Sequence, residues 1–168
     1  KILKIFKNKI NYFDVVVISD YSKGILTDSL LKVVIDISNK KKKKIIVDPK
    51  KFDFLPYKGA TIITPNYNEL LEASNFNKDK NKEKNKDDKS KIVIKLSRKL
   101  IRKFDFEAII TTRSSDGISI VDEKHRDLHL PSKAKEVYDV SGAGDTVIAY
   151  IASGLANGRP LFNATEIA

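Results

Sequence analysis

The sequence has no cysteine, no tryptophan and no methionine among its 168 residues. The lack of cysteine excludes disulfide bonds and thiolate chemistry, and it is compatible with a cytoplasmic protein. Without an initiator methionine, the chain is expected either to begin somewhere other than a translation start or to lack its true beginning. No apolar run approaches the roughly 18 residues of a membrane-spanning helix, and no signal peptide opens the chain. We therefore expect no membrane partner.

Positive charge is in excess but unevenly spread. The formal net charge is +10, and much of it comes from two lysine-rich stretches, residues 40–44 and 77–91. Neither stretch places aromatic side chains among its charges, as a stacking platform for nucleic acid would, so we do not expect nucleic acid as a partner. Residues 77–91 also contain no apolar side chain, and they are predicted to form a solvated, mobile, low-complexity insertion.

Short β-branched runs alternate with amphipathic segments along the chain, which predicts an α/β fold with a mostly parallel β-sheet flanked by helices. The first segment, residues 1–12, fits either a helix or an edge strand, and the first strand is predicted to be buried on both faces. Residues 117–121 and 127–130 are predicted to form a small antiparallel pair. The other predicted strands are residues 14–19, 45–49, 61–65 and 108–112. The predicted helices are residues 27–39, 66–74, 92–104, 147–157 and 161–168.

Residues 139–146 (Asp-Val-Ser-Gly-Ala-Gly-Asp-Thr) form a small-residue loop that leads directly into an apolar helix. The first N–H groups of a helix have no partner within it, and the helix dipole makes that end positive, so this junction suits an anion. A carboxylate beside a phosphate site is what a phosphoryl-transfer enzyme needs, and Asp145 supplies one. From these residues alone, a tight turn with a first-turn charge is an equally open interpretation.

Three further groups of polar residues have both a functional and a structural interpretation. Residues 66–69 (Asn-Tyr-Asn-Glu) have the spacing of a helix capping box. Residues 19–24 follow the first buried strand at the end where α/β sheets bind ligands, although a solvated turn is equally open. His125 and His129 are four apart, but Leu128 and Leu130 alternate with His129 as in a strand, so we expect no metal site there.

These motifs occur in the order found in the ribokinase/PfkB carbohydrate kinases. Residues 139–146 resemble the C-terminal signature of that family, and residues 66–69 match its Asn-x-x-Glu motif. One branch is more similar still, the kinase module of the bifunctional ADP-heptose synthesis proteins, D-glycero-β-D-manno-heptose-7-phosphate kinase. Its motifs match residues 19–24, 47–50, 57–61, 64–66, 112–114 and 128–139. The resemblance covers residues 14–158 apart from the insertion, and it implies a ribokinase-like fold.

The resemblance also implies an activity, the ATP-dependent phosphorylation of heptose 7-phosphate at its anomeric C1 hydroxyl to give the 1,7-bisphosphate. Asp145 would accept the proton of that hydroxyl. The anion hole would be formed by the backbone N–H groups of Gly142, Ala143 and Gly144. Another sugar kinase of the same family, or a non-catalytic remnant of such a kinase, remains an alternative.

Further residues receive roles by the same resemblance. Glu69 would hold Mg²⁺ through water, and Asp139 and Ser141 would contribute to a monovalent-cation site that takes K⁺. Asp20 and Lys23 would lie on the substrate side. The residues implied to bind ATP are Asn66, Tyr67, Asn68, Glu69, Thr112, Ser114 and Gly117. Most of the wider family has glycine in place of Ser114.

The resemblance further implies that residues 1–168 are a partial kinase domain. The family's N-terminal half would precede Lys1, and the segment that completes the adenine pocket would follow Ala168. We therefore expect this chain alone to be inactive. The full enzyme would be a cytoplasmic bacterial homodimer that acts in ADP-heptose and lipopolysaccharide core synthesis, with a nucleotidyltransferase module as a partner in the same protein.

Overall fold

A six-stranded sheet forms the centre of the computed structural model, which describes residues 1–76, 86–132 and 142–167. The strands lie side by side in chain order. The first four pair in parallel, and the last two continue the sheet antiparallel, which confirms the predicted mostly parallel α/β fold. The strands are β1 (Val15–Ser19), β2 (Lys44–Asp48), β3 (Ile62–Ile63), β4 (Ala108–Thr112), β5 (Ile118–Asp122) and β6 (Asp127–Leu130).

Helices cover both faces of the sheet. One face packs against α2, α3 and α4 through a core that includes Ile45, Ile63 and Ile109. The other face packs Ile46 and Ile110 against α5 and α6. The helices are α1 (Ile2–Lys9), α2 (Asp28–Lys40), α3 (Tyr67–Ala73), α4 (Lys86–Phe104), α5 (Ala143–Ala156) and α6 (Leu161–Ile167). Among the described residues, short 3₁₀ turns lie at Ile10–Tyr12, Leu55–Tyr57 and Ser114–Asp116. None of the helices in the described ranges is long and apolar enough to cross a membrane.

The start of the chain is helical, which settles the two alternatives left open for residues 1–12. Helix α1 contacts α2, and its Leu3 and Phe6 pack against the larger core. Helix α2 begins as predicted, because the hydroxyl of Thr27 accepts a hydrogen bond from the backbone N–H of Leu30 at 3.3 Å.

Strand β1 is less buried than predicted. The side chain of Val17 is 46% exposed, so burial on both faces was wrong. The physical reason is position, since β1 is the outermost strand of the described sheet and pairs only with β2. A β-branched run favours a strand but does not tell a central strand from an edge strand.

The predicted polar insertion is partly helical, because α4 begins at Lys86 rather than at residue 92. Tertiary contacts extend this helix through a polar stretch. Lys89 Nζ lies 3.5 Å from Asp116 Oδ2, and the guanidinium of Arg113 donates to the hydroxyl of Ser90 at 3.0 Å. Residues 77–85, the remainder of the predicted insertion, lie outside the described residues.

Candidate active site

A cavity of about 370 Å³ lies where the carboxyl ends of β2, β3 and β4 meet the amino end of α5. In open α/β sheets, ligands bind beyond the carboxyl ends of parallel strands, so the position is typical of a binding site. Of the described residues, those that line the cavity are Tyr21, Asp48, Lys50, Thr64, Asn66, Glu69, Ile110, Thr112, Gly142, Gly144, Asp145, Val147 and Ile148.

One wall of the cavity is the amino end of α5. The helix begins at Ala143, so Gly144 and Asp145 lie in its first turn. The prediction that they belong to a loop before a helix at residue 147 was wrong. Gly142 precedes the helix with a φ of +81°, a conformation that favours glycine, and its carbonyl accepts from the N–H of Thr146 at 2.9 Å. The amino end of the helix and the exposed carboxylate of Asp145 therefore face the same space.

The opposite wall is the amino end of α3, where the capping box predicted at residues 66–69 forms. The N–H of Glu69 donates to Asn66 Oδ1 at 3.0 Å, and the N–H of Asn66 donates to Glu69 Oε2 at 2.8 Å. Both side chains also line the cavity. Asn66 and Glu69 therefore cap α3 and line the candidate site at the same time. Thr112, at the end of β4, lines the cavity beside them, since its N–H donates to the carbonyl of Pro65.

The structure adds charged residues to this cavity that were not selected as site residues from the sequence. Lys50 Nζ lies 2.9 Å from Glu69 Oε1 and 3.9 Å from Asp48 Oδ1. Burial lowers the pKa of Lys50, but the hydrogen bond to Glu69 and the charge of Asp48 outweigh it, and the pKa is raised overall. The available signal was position, because Asp48 is the last residue of a buried strand and Lys50 lies just beyond that carboxyl end.

The carboxyl of Asp48 is perturbed by its surroundings. Its pKa is raised to about 6, with burial as the largest cause, and the ammonium of Lys50 opposes the rise. The negative charges of Glu69 and Asp145 contribute to the rise, since a like charge close by disfavours ionisation. Perturbed carboxyls of this kind in a cleft are typical of functional sites.

Four of the residues expected to bind ATP do not line this cavity. Tyr67 is half-buried, packs against the core of the sheet, and has its ring centroid 6.0 Å from Lys89 Nζ. Asn68 is exposed on α3, and Ser114 is exposed in the 3₁₀ turn after β4. Gly117 ends that turn with a φ of +87°, and a Cβ there would lie 2.0 Å from the carbonyl oxygen of Leu130. The close approach of two backbones therefore requires glycine at position 117.

The loop after β1 differs from the expectation that Asp20 contacts the substrate. The side chain of Asp20 is buried, with Oδ2 accepting from the hydroxyl of Tyr57 at 2.7 Å and Oδ1 from the N–H of Ser22 at 2.8 Å. Asp20 thus fixes the loop from inside, whereas its neighbour Tyr21 lines the cavity. Lys23 is exposed, with Nζ 6.0 Å from the ring centroid of Tyr21.

Metal binding at this site would depend on few protein ligands. Within the described ranges, no group of three or more His, Cys, Asp or Glu side chains could hold a metal ion. Both oxygens of Glu69 already accept hydrogen bonds, so its carboxylate fits a Mg²⁺ ion held mainly by water and substrate phosphates. Asp139 and Ser141, expected at a monovalent-cation site, lie outside the described residues.

A model of one protein family, described as pfkB family carbohydrate kinase, matches residues 3–168. The bifunctional protein HldE of Syntrophotalea carbinolica is 39% identical over 161 residues, which cover 96% of this chain and 31% of that protein. The bifunctional protein HldE of Campylobacter jejuni subsp. doylei is 41% identical over 168 residues, or 34% of its length. The chain thus spans about a third of the length of these curated relatives.

Solved structures share the fold at low sequence identity. Ribokinase of Arabidopsis thaliana, complexed with ribose and ATP, superposes with a TM-score of 0.72 at 18% identity, covering 94% of this chain and 48% of that one. Phosphofructokinase-2 of Escherichia coli in complex with potassium gives a TM-score of 0.77 at 17% identity, covering 96% and 51%. The described fold is therefore ribokinase-like and corresponds to about half of those chains.

Proposed function

This chain belongs to the pfkB family of carbohydrate kinases, and from that premise we propose that it forms part of a heptose 7-phosphate kinase. The proposed reaction transfers the γ-phosphoryl group of ATP to the C1 hydroxyl of D-glycero-D-manno-heptose 7-phosphate. The observation that supports a phosphoryl-transfer site is that Asp145, the amino end of α5 and the Asn66–Glu69 pair line one cavity. The similarity to the HldE proteins supports the choice of sugar.

Asp145 is the proposed general base. Its carboxylate is exposed to the cavity in the first turn of α5, where an acceptor hydroxyl can reach it. As the hydroxyl attacks phosphorus, Asp145 would take its proton, so that the attacking oxygen gains electron density at the moment of transfer. The negative carboxylate of Asp145 is compatible with this position, because negative groups are stabilised at the amino end of a helix.

The amino end of α5 would stabilise the phosphoryl group as it moves. The backbone N–H groups of Gly142, Ala143 and Gly144 lie at a helix end, where they have few acceptors of their own. Fixed donors directed at a developing charge need no reorganisation during the reaction, and loss of one typically costs roughly 3–4 kcal/mol of barrier. Asp139 and Ser141 remain proposed ligands of K⁺ on the basis of the family resemblance.

Asn66, Glu69 and Thr112 would meet the nucleotide phosphates from the other wall. When bound, Mg²⁺ neutralises charge on phosphate oxygens, and the carboxylate of Glu69 would orient it through water. Tyr67, Asn68, Ser114 and Gly117 lie around the same ends of α3 and β4, and their contact with ATP is proposed from the family resemblance rather than from the cavity.

The proposed enzyme is larger than this chain. Because the chain spans about half of the related solved structures and a third of the HldE relatives, we propose that the rest of the sugar site lies in residues outside it. The word bifunctional in the names of those relatives supports a second module in the same protein, proposed to be a nucleotidyltransferase. A cytoplasmic homodimer in ADP-heptose and lipopolysaccharide core synthesis completes the proposal.

A panel of acceptors tests the proposal in the full-length protein. We expect transfer from ATP to heptose 7-phosphate, and Asp145→Asn should abolish it while leaving ATP binding nearly intact. Asp105→Asn is the matched control, because Asp105 is an exposed carboxylate paired with Lys58 outside the cavity. Transfer to ribose, fructose 1-phosphate or a nucleoside instead would favour another pfkB sugar kinase. ATP binding without transfer to any acceptor would identify a non-catalytic remnant.

A further inference from the structure

The charged side chains around the cavity are mostly acidic, which makes the lysine among them a candidate for direct contact with a polyanionic substrate. Among the described residues, the carboxylates that line the cavity are those of Asp48, Glu69 and Asp145. Of the described residues in its lining, Lys50 is the one with a cationic side chain. The described part of the lining therefore has a net negative side-chain charge. Apart from a bound cation, Lys50 and the amino end of α5 are what it offers to attract a nucleoside triphosphate.

Lys50 is held in place rather than free to move. Its ammonium donates to Glu69 Oε1 at 2.9 Å, and the other oxygen of Glu69 is fixed by the N–H of Asn66 at 2.8 Å. Asp48 Oδ1 also lies near the ammonium, at 3.9 Å. The side chain remains 38% exposed, so a ligand in the cavity can still reach it. An ammonium has three donors, and this arrangement leaves the lysine able to bind a phosphate oxygen.

We propose that Lys50 binds the phosphoryl group in transfer, and that Glu69 and Asp48 are positioning residues that hold its ammonium. This rests on the proposed function. In that step the acceptor oxygen forms a bond to the γ-phosphorus, the bond from that phosphorus to the β–γ bridging oxygen breaks, ADP leaves with the electron pair, and Asp145 receives the proton. Lys50 donates a hydrogen bond to a non-bridging oxygen of the γ-phosphoryl group and is not changed by the reaction. In this proposal Glu69 has two roles. It caps α3 by accepting from the N–H of Asn66, and it positions the ammonium of Lys50 for the phosphate.

Substitution of Lys50 in the full-length protein is the first test. We expect Lys50→Met to lower kcat on the order of 10²-fold, because a preorganised donor at the moving charge is lost, with KM for the sugar phosphate unchanged. Lys50→Arg should restore part of kcat, since it keeps the charge. The matched control is Lys44→Met, which removes an equivalent ion pair, Lys44 with Glu107 at 2.7 Å, at the other end of the same strand.

A double-mutant cycle tests the positioning role. Glu69→Gln preserves the capping spacing, because glutamine also serves at that position, but it weakens the hold on Lys50. With Mg²⁺ at saturation, so that the proposed contact of Glu69 with the metal does not limit the rate, we expect it to lower kcat by less than Lys50→Met does, and the double variant to be no slower than Lys50→Met alone. Losses that multiply instead would overturn the positioning role of Glu69.

The outcomes separate this inference from the proposed function. If the unaltered protein transfers phosphate but Lys50→Met keeps kcat within about twofold, or raises only KM for the sugar phosphate, the inference is overturned and the proposed function stands. If the unaltered protein transfers phosphate to no acceptor, binding of a non-hydrolysable ATP analogue, measured by calorimetry, decides it. Binding about tenfold weaker in Lys50→Met would then support the lysine as a phosphate ligand, and equal binding would overturn it.

Discussion

The hydroxyl of Tyr57 donates a 2.7 Å hydrogen bond to Oδ2 of Asp20, and both side chains are almost completely buried. Asp20 follows β1 and Tyr57 follows β2, so the bond joins two loops at the cavity end of the sheet. Burial, together with this bond to a carboxylate, raises the pKa of the Tyr57 hydroxyl well above its usual range. The phenol therefore remains a donor at any physiological pH.

Removal of that donor should destabilise the protein without changing its fold. We expect Tyr57→Phe to lower the free energy of unfolding by about 1–3 kcal/mol, because it leaves a buried carboxylate oxygen without its closest partner. Urea denaturation followed by circular dichroism measures the change. Tyr12→Phe is the matched control, since Tyr12 is 81% exposed. Equal stability of the two variants would show that the bond contributes nothing.

Replacement of Gly117 even by alanine should destabilise the protein. Its φ of +87° is strained for any other residue, and a Cβ would lie 2.0 Å from the carbonyl oxygen of Leu130. We expect Gly117→Ala to cost about 2–4 kcal/mol of unfolding free energy through strain and overpacking together. Gly24→Ala separates the two effects, because Gly24 has a φ of +86° but open space around it, and it should cost about 1 kcal/mol. Similar losses in both variants would contradict the steric argument.

The stability of the protein should depend on pH through Asp48. Its pKa is about 6 in the folded protein against an ordinary 3.8, so folding disfavours the ionised form. The resulting destabilisation is present above pH 6, decreases as the pH falls through 6, and is absent below about pH 3.8. Asp48→Asn should therefore be more stable than the unaltered protein at pH 8, by about 1–2 kcal/mol after solvent screening, and equal to it near pH 4.

Urea denaturation at pH 4, 6 and 8 provides that measurement. Asp105→Asn serves again as the control, because its exposed carboxylate should give no difference that changes with pH. A variant at position 48 that is less stable at pH 8 than at pH 4, relative to the unaltered protein, would reverse the sign and contradict the argument.

Most of the fold could be predicted from local sequence. The errors in element bounds concern where helices begin, which depends in part on contacts with residues far away in the chain. The β-branched runs gave the strands, since that pattern depends on nearby residues alone. The beginning of α4 could not be found this way, because Lys86 onward is polar and the helix is supported by contacts such as that between Arg113 and Ser90. The beginning of α5 was placed too late, because glycine is a weak helix former and the low propensity of Gly144 suggested a loop.

The candidate site was only partly accessible from sequence. Motifs with a fixed spacing, such as Asn66 with Glu69, led to residues that the structure brings together with Asp145 in one cavity. Lys50 was missed because its place in the site depends on its contact with Glu69 of α3, and a linear sequence pattern does not show that contact. Asp20 shows the opposite error, since its position at the end of a strand suggested a ligand contact, but its buried partner Tyr57 is 37 residues away.

The order of the strands determines when the cavity can exist during synthesis. Each strand pairs with the one before it in the chain, so an emerging strand finds its neighbour already made. The antiparallel end joins nearby residues, such as Ile118 with Leu130, whereas Ile62 pairs with Ala108 only after α3 and α4 have emerged. Helix α5 follows every strand of the described sheet. A ribosome-bound chain therefore holds the strand ends and the α3 wall of the cavity before Asp145 is made, and the nascent protein can assemble its scaffold before it presents the proposed base.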